Sequence, residues 1–148
     1  MKTDENTELA RRLRGVHLFR EMPEKGLRRV LQQGKIITHP AGSVLVAEGE
    51  TGLAFHLVLS GEAEVLVHGE VHRVLGPGDH FGEISLIDGQ ARSATVRART
   101  DVEHWALMRW NFTAILEEHP EMARSMLVGL CAHLREAEAR VPAHASDQ

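Results

Sequence analysis

Between Phe81 and Val96 the chain gathers residue types that together suit an anion with a hydroxyl beside it. Gly82 opens the run Glu83-Ile84-Ser85-Leu86, which has the character of a short helical turn. The first N–H groups of a helical turn lack intrahelical acceptors, and the helix dipole adds partial positive charge there, so they offer donors to an anion. Arg92 follows at the start of the next extended stretch, and its fork of donors matches two phosphate oxygens at once. Ser93 adds a hydroxyl donor. Glu83 belongs in such a site only if something donates to it, because an ionised carboxylate can only accept. A sugar hydroxyl is such a donor, and phosphate plus sugar hydroxyl describes a nucleotide. On these residues alone, a structural salt bridge between Glu83 and Arg92 across a loop is the simpler account.

Other reactive residues give weaker patterns. The chain holds ten histidines, enough to ask whether some bind metal. His68, His72 and His80 fall in the strand-rich region, and Gly76-Pro77-Gly78-Asp79-His80 resembles part of the motif of metal-dependent cupin enzymes. No His-x-His pair accompanies it, although cupin metal sites need several ligands brought to one ion. No Ser–His–Asp arrangement is readable, and the single Cys131 has no neighbour that would activate it. Catalytic residues, metals and cofactors are therefore expected to be absent. A lone cysteine also forms no internal disulfide and fits a reducing, cytoplasmic setting.

The 148 residues suffice for one domain with its own core. No apolar run approaches the roughly 20 residues a membrane-spanning helix needs. A net charge of −4 argues against direct DNA binding, which calls for a basic surface. Arg11, Arg12, Arg14, Arg28 and Arg29 fall on amphipathic helical stretches as solvated faces.

The elements that must position the 81–96 segment follow from periodicity. Residues 1–34 predict two helices: Leu9, Leu13 and Val16 recur at helical spacing, Gly15 interrupts, and Pro23 and Gly34 bracket Leu27, Val30 and Leu31. Residues 35–108 predict short strands at 36–39, 43–46, 54–59, 62–68, 71–75, 93–98 and 102–108, separated by glycine-bearing turns. That texture indicates a mainly β fold, a jelly-roll barrel with flanking helices. Residues 82–90 interrupt it as a short helix plus turn. Residues 109–141 predict a short helix ending at His119-Pro120 and a long one reaching about Val141, before Pro142 and a polar tail over 142–148.

The 81–96 segment resembles the phosphate-binding cassette of the cyclic nucleotide-binding domain family, the type found in catabolite activators and protein kinase regulatory subunits. That pattern runs F-G-E-apolar-(A/S)-L, a short insert, then R-small-A-(S/T or aromatic)-V. It is matched at Phe81, Gly82, Glu83, Ile84, Ser85, Leu86, Arg92, Ser93, Ala94, Thr95 and Val96. Pro40-Ala41-Gly42, Glu48-Gly49, Val58-Leu59-Ser60-Gly61-Glu62 and Leu75-Gly76-Pro77-Gly78-Asp79 extend the likeness outward. The resemblance implies one domain over 1–148, a jelly-roll barrel with a C-terminal helical lid, and a sensor of cAMP or cGMP without catalysis. It places Glu83 on the ribose 2′-hydroxyl and Arg92 on the cyclic phosphate. Backbone at Gly82, Ile84, Ser85 and Ala94 completes the cradle, and Ser93 sits on the phosphate.

The likeness thins toward the C-terminus. Where DNA-binding members of the family contact adenine through a Thr-Ser pair, this chain has Ala137 and Glu138, so the base contact is unassigned. His133, Arg135 and Arg140 are lid candidates or solvated helix residues. The chain ends where a DNA-binding domain would begin in those relatives, so the sensor is expected to act on a protein partner by moving its C-terminal helices. Ala123, Leu127, Leu130, Leu134, Ala137 and Val141 are spaced as a heptad seam, which either pairs two chains or packs on its own barrel. A ligand-free interaction module is the remaining alternative. The intact Glu83 and Arg92 argue against it.

Overall fold

The computed structural model describes residues 3–141, with side chains from residue 6 onward; the expected polar tail at 142–148 lies outside the described residues. The chain divides into two compact units, one formed by residues 1–29 and 116–148 and the other by 30–115.

In the first unit, α1 (Thr3–Arg14) stops at Gly15, and a single helical turn, α2 (His17–Arg20), follows where the sequence predicts only a connection. The Arg14 guanidinium explains this turn: it donates to the carbonyls of Arg20 (3.1 Å) and Met22 and so closes the chain on itself. α3 (Glu24–Gln33) begins just after Pro23 and ends before Gly34, as the sequence predicts. α6 (Glu121–Ala139) buries Met122, Met126 and Gly129. A Cβ on Gly129 would collide with the His17 carbonyl, so only glycine lets α6 lie this close to α2. His17 Nε2 reaches Glu136 at 2.7 Å, and Arg29 makes two 3.1 Å bonds to Glu118 at the end of α5 (Arg109–Glu118). Within the heptad seam of α6, Leu127 and Leu134 are 62% and 59% exposed, whereas Leu130 and Ala137 are partly buried.

The second unit is a sandwich of two four-stranded antiparallel sheets, the expected jelly roll. β1 (Lys35–His39), β8 (Val102–Met108), β3 (Ala54–Ser60) and β6 (His80–Phe81) form one sheet in that order. β2 (Val44–Val46), β7 (Thr95–Ala98), β4 (Ala63–Val67) and β5 (Glu70–Leu75) form the other. Val58, Ala63, Leu75, Val96, Ala98 and Val102 make a buried core cluster, with Phe81 packed against it. Both faces of β3 and β8 are buried, which is why their sequences read as apolar runs rather than clean alternation. Two-residue β6 is too short to leave a periodic signal, yet its pairing of Phe81 with His56 and His80 with Leu57 fixes where the 81–96 segment begins.

Four rings cross the first sheet in strand order: His39, His104, His56 and Phe81. His39 stacks on His104 (centroids 5.0 Å apart), His104 meets His56 (5.0 Å), and His56 stacks on Phe81 (4.6 Å). The Nδ1 atoms of His56 and His104 lie 3.3 Å apart, within one hydrogen bond. His104 Nε2 is buried with no partner. An unpaired lone pair costs less than an orphaned N–H, so the arrangement favours His104 Nδ1–H donating to His56 Nδ1.

Candidate functional site

The 81–96 segment is built as a loop, helical turn and loop, held by backbone bonds on both sides. Gly82 caps α4 (Glu83–Asp88) with φ +91°, and Gly89 ends it with φ +67°, both in the left-handed region that favours glycine. Gly82 is constrained a second way. A Cβ there would stand 2.5 Å from the Ala54 carbonyl oxygen and 2.5 Å from Arg92 Nη1. Leu86 is 1% exposed and anchors the helix from below, while Ile84 faces out at 62%.

Arg92 precedes its strand instead of opening it, because its backbone bonds go elsewhere. Its N–H donates to Glu50 O (2.7 Å), and its carbonyl accepts from Gly49 N (2.9 Å). Gly52 N–H likewise donates to Gln90 O (3.0 Å), so residues 49–52 clamp residues 90–92. Glu48-Gly49 in the sequence signals this turn but not its partner. From that anchor the half-buried Arg92 side chain donates to the Ala54 carbonyl and lies over Gly82. Burial lowers the Arg92 pKa, and the nearby Glu83 carboxylate acts in the opposite sense. Arginine starts so far above neutrality that the guanidinium keeps its charge.

All seven predicted site residues, Gly82, Glu83, Ile84, Ser85, Arg92, Ser93 and Ala94, line a single open cleft of about 350 Å³. Of the opposite wall, only Val96 belongs to the 81–96 segment. There Val46, Val96, Val65 and Arg73 form one row across β2, β7, β4 and β5, through the pairs Val46↔Val96, Val96↔Val65 and Val65↔Arg73. Three valines make an apolar shelf that ends in a second guanidinium. His80 also lines the cleft, with Nδ1 3.3 Å from Glu83 Oε2. The strands alone could suggest valine shelves anywhere; only the strand order, which is non-local, puts these four side by side.

The histidines weighed as metal ligands are scattered. His68 occupies the β4–β5 turn with φ 52°, His72 is exposed on β5, and His80 pairs with Glu83. Among the described residues no three His, Cys, Asp or Glu side chains converge to hold a metal. Cys131 is exposed on α6, and the ring of His133 contacts that of His17. No described helix is long and apolar enough to cross a membrane.

An arginine, a carboxylate and an apolar shelf thus share one cleft of a jelly roll, a lining suited to a small molecule. Comparison with known proteins agrees. Residues 36–119 match the family described as "Cyclic nucleotide-binding domain". The cAMP-dependent protein kinase regulatory subunit of Aspergillus niger is 43% identical over 86 residues, covering 54% of this chain and 20% of that protein. The cyclic AMP receptor protein of Thermus thermophilus is 31% identical over 131 residues, covering 85% of this chain and 61% of that protein. The regulatory domain of Toxoplasma gondii PKA, solved with cAMP, superposes with a TM-score of 0.72 at 35% identity, covering 85% of this chain and 50% of that one. The chain thus spans only part of the relatives it matches. It belongs to the cyclic nucleotide-binding domain family, a family of non-catalytic sensor modules, and the domain is not an enzyme.

Proposed function

We propose that the cleft binds a cyclic purine nucleotide, with cAMP preferred over cGMP, and that the domain signals through its C-terminal helices to a protein partner. The observation that carries the reading is the placement of Arg92 and Glu83 on one cleft, around a glycine whose missing Cβ makes room for the guanidinium. In this reading Arg92, Ser93 and the backbone of Gly82, Ile84, Ser85 and Ala94 receive the cyclic phosphate. Glu83 receives the ribose 2′-hydroxyl, and the valine shelf takes apolar parts of the ligand. The preference for cAMP rests on the relatives whose names carry it. Calorimetric titration with cAMP and cGMP tests the whole reading; no heat with either ligand would overturn it.

Glu83 separates the sugar from the phosphate. Glu83→Gln should weaken cAMP binding by about 1.5–3 kcal/mol, the scale of a hydrogen bond to a charged group. The same substitution should leave a 2′-deoxy analogue's affinity nearly unchanged. Equal losses for both ligands would show that the carboxylate only shapes the loop.

The output surface in this reading is α6. A ligand shifts a conformational equilibrium only by contacting the two states unequally, and the cleft donors supply such contacts if they tighten in one state. The seam of Leu127, Leu134 and Val141 is exposed at heptad spacing, which supports pairing with a second copy or a helical partner. Leu127→Glu with Leu134→Glu should abolish self-association in sedimentation while leaving cAMP affinity within about twofold, since both sites are solvent-facing. A parent protein that stays monomeric at high concentration would remove the homodimer and leave the partner role.

A further inference from the structure

The cleft holds a polar side chain with no role in the nucleotide reading so far. His80 ends β6, three residues before Glu83, and its Nδ1 lies 3.3 Å from Glu83 Oε2. The ring is partly buried, and the Phe55 ring meets it edge-on at 5.8 Å and 86°. Backbone pairing with Leu57 sets the strand beneath it. The geometry also selects a protonation state. A carboxylate oxygen beside Nδ1 repels a lone pair there, so Nδ1 carries a proton whether the ring is neutral or charged.

We propose that His80 is a pH-sensitive positioning residue: it donates from Nδ1 to Glu83, aims the carboxylate into the cleft, and tightens nucleotide binding when it becomes an imidazolium. The proposal deepens the reading of Glu83 as the sugar acceptor and rests on it. Glu83 sits at the first turn of α4, where a long flexible side chain has several rotamers, and a donor fixed by Phe55 restricts them. Charging the ring makes the bond charge-assisted and adds a cation to a cleft that must take an anionic ligand.

The charged groups around His80 have both signs. Glu83 and Asp88 come from α4, Arg92 from the loop before β7, and Arg73 from β5. Phe55 and the Leu57 backbone on β3 add no charge. The nearest charged atom to His80 is the Glu83 oxygen, 3.3 Å from Nδ1.

The test is cAMP affinity by calorimetry at pH 8 and pH 6, the range over which histidine changes charge. The parent should bind about three- to fivefold more tightly at pH 6, the scale of a partly exposed ion pair. His80→Gln keeps a donor but cannot charge. It should lose the pH dependence. His80→Phe should lose the pH dependence and also bind more weakly than the parent at both pH values. Identical pH profiles in the parent and His80→Phe would overturn the proposal while leaving the cleft's function standing; failure of every variant and the parent to bind would sink that function itself. A second readout needs no nucleotide. In the free protein at pH 8, nitrogen chemical shifts should show His80 as the Nδ1–H tautomer, converting toward Nε2–H in Glu83→Ala. A parent already in the Nε2–H form would equally overturn it.

Discussion

Replacing Arg92 with alanine is expected to weaken cyclic nucleotide binding by on the order of 2–5 kcal/mol, roughly thirtyfold to several thousandfold. The size follows from where the guanidinium sits. It is half-buried, its donor fork already rests on the Ala54 carbonyl, and its backbone is clamped by Glu50 and Gly49. Part of the desolvation and ordering that an anion contact demands has therefore been met in the folded protein, before any ligand arrives. Removing the side chain would leave a phosphate facing backbone donors and the Ser93 hydroxyl, with no cation beside Glu83. The repulsion that Arg92 now offsets would then act on the ligand. Arg92→Lys should recover only part of the loss, because an ammonium replaces a planar two-pronged fork and reaches the site as a point charge. Melting curves of both variants serve as the control, since the Arg92–Ala54 bond also ties the loop to β3. If Arg92→Ala binds cAMP and cGMP as the parent does, Arg92 is structural and the cleft's function must be reassigned.

How much of this was legible beforehand differs between the two walls of the cleft. The wall formed by residues 81–96 is local in sequence, so its glycines, its acidic residue and its arginine can be read in order. Gly82 and Gly89 mark the two ends of α4 because each adopts positive φ. The opposite wall is not local. Val46, Val65 and Arg73 join Val96, itself the last residue of that segment, only through the order β2-β7-β4-β5, and nothing in short-range periodicity ranks that order above others. Arg92 was expected to open a strand, but its backbone pairs with residues 49 and 50, outside any ladder. The extra turn α2 escaped for a related reason: it depends on one arginine reaching carbonyls six and eight residues ahead. The high histidine count was visible at once, yet its meaning was not. Strand spacing alone does not separate a metal cluster from rings stacked across a sheet.

Those rings lead to the second large effect, a steep loss of folding stability with acid. His56 and His104 are buried, at 8% and 1% exposure, and share one hydrogen bond between their Nδ1 atoms. Burial is the main force lowering both pKa values, His56 to about 3 and His104 to about 4. The charges of His104, Arg92 and His39 push His56 further in the same direction, and His39 does so for His104. An added proton would either set two N–H groups against each other, at His56 Nδ1, or create a buried N–H with no acceptor, at His104 Nε2. The unfolded chain takes up protons on both rings below about pH 6.5, whereas the folded chain resists until about pH 4 and then 3. The unfolded state therefore binds more protons throughout that window, and stability falls as pH falls. Between pH 6.5 and 5 the two histidines together should remove on the order of 3 kcal/mol. Most carboxylates are still ionised there, so the slope in that interval belongs chiefly to the histidines. Urea unfolding across pH 7.5 to 5 measures it, and ring carbon shifts of His56 and His104 identify the source. Stability that stays level to pH 5, or rings that titrate near pH 6.5 in the folded protein, would mean that water reaches the pair and that the ring file is open to solvent.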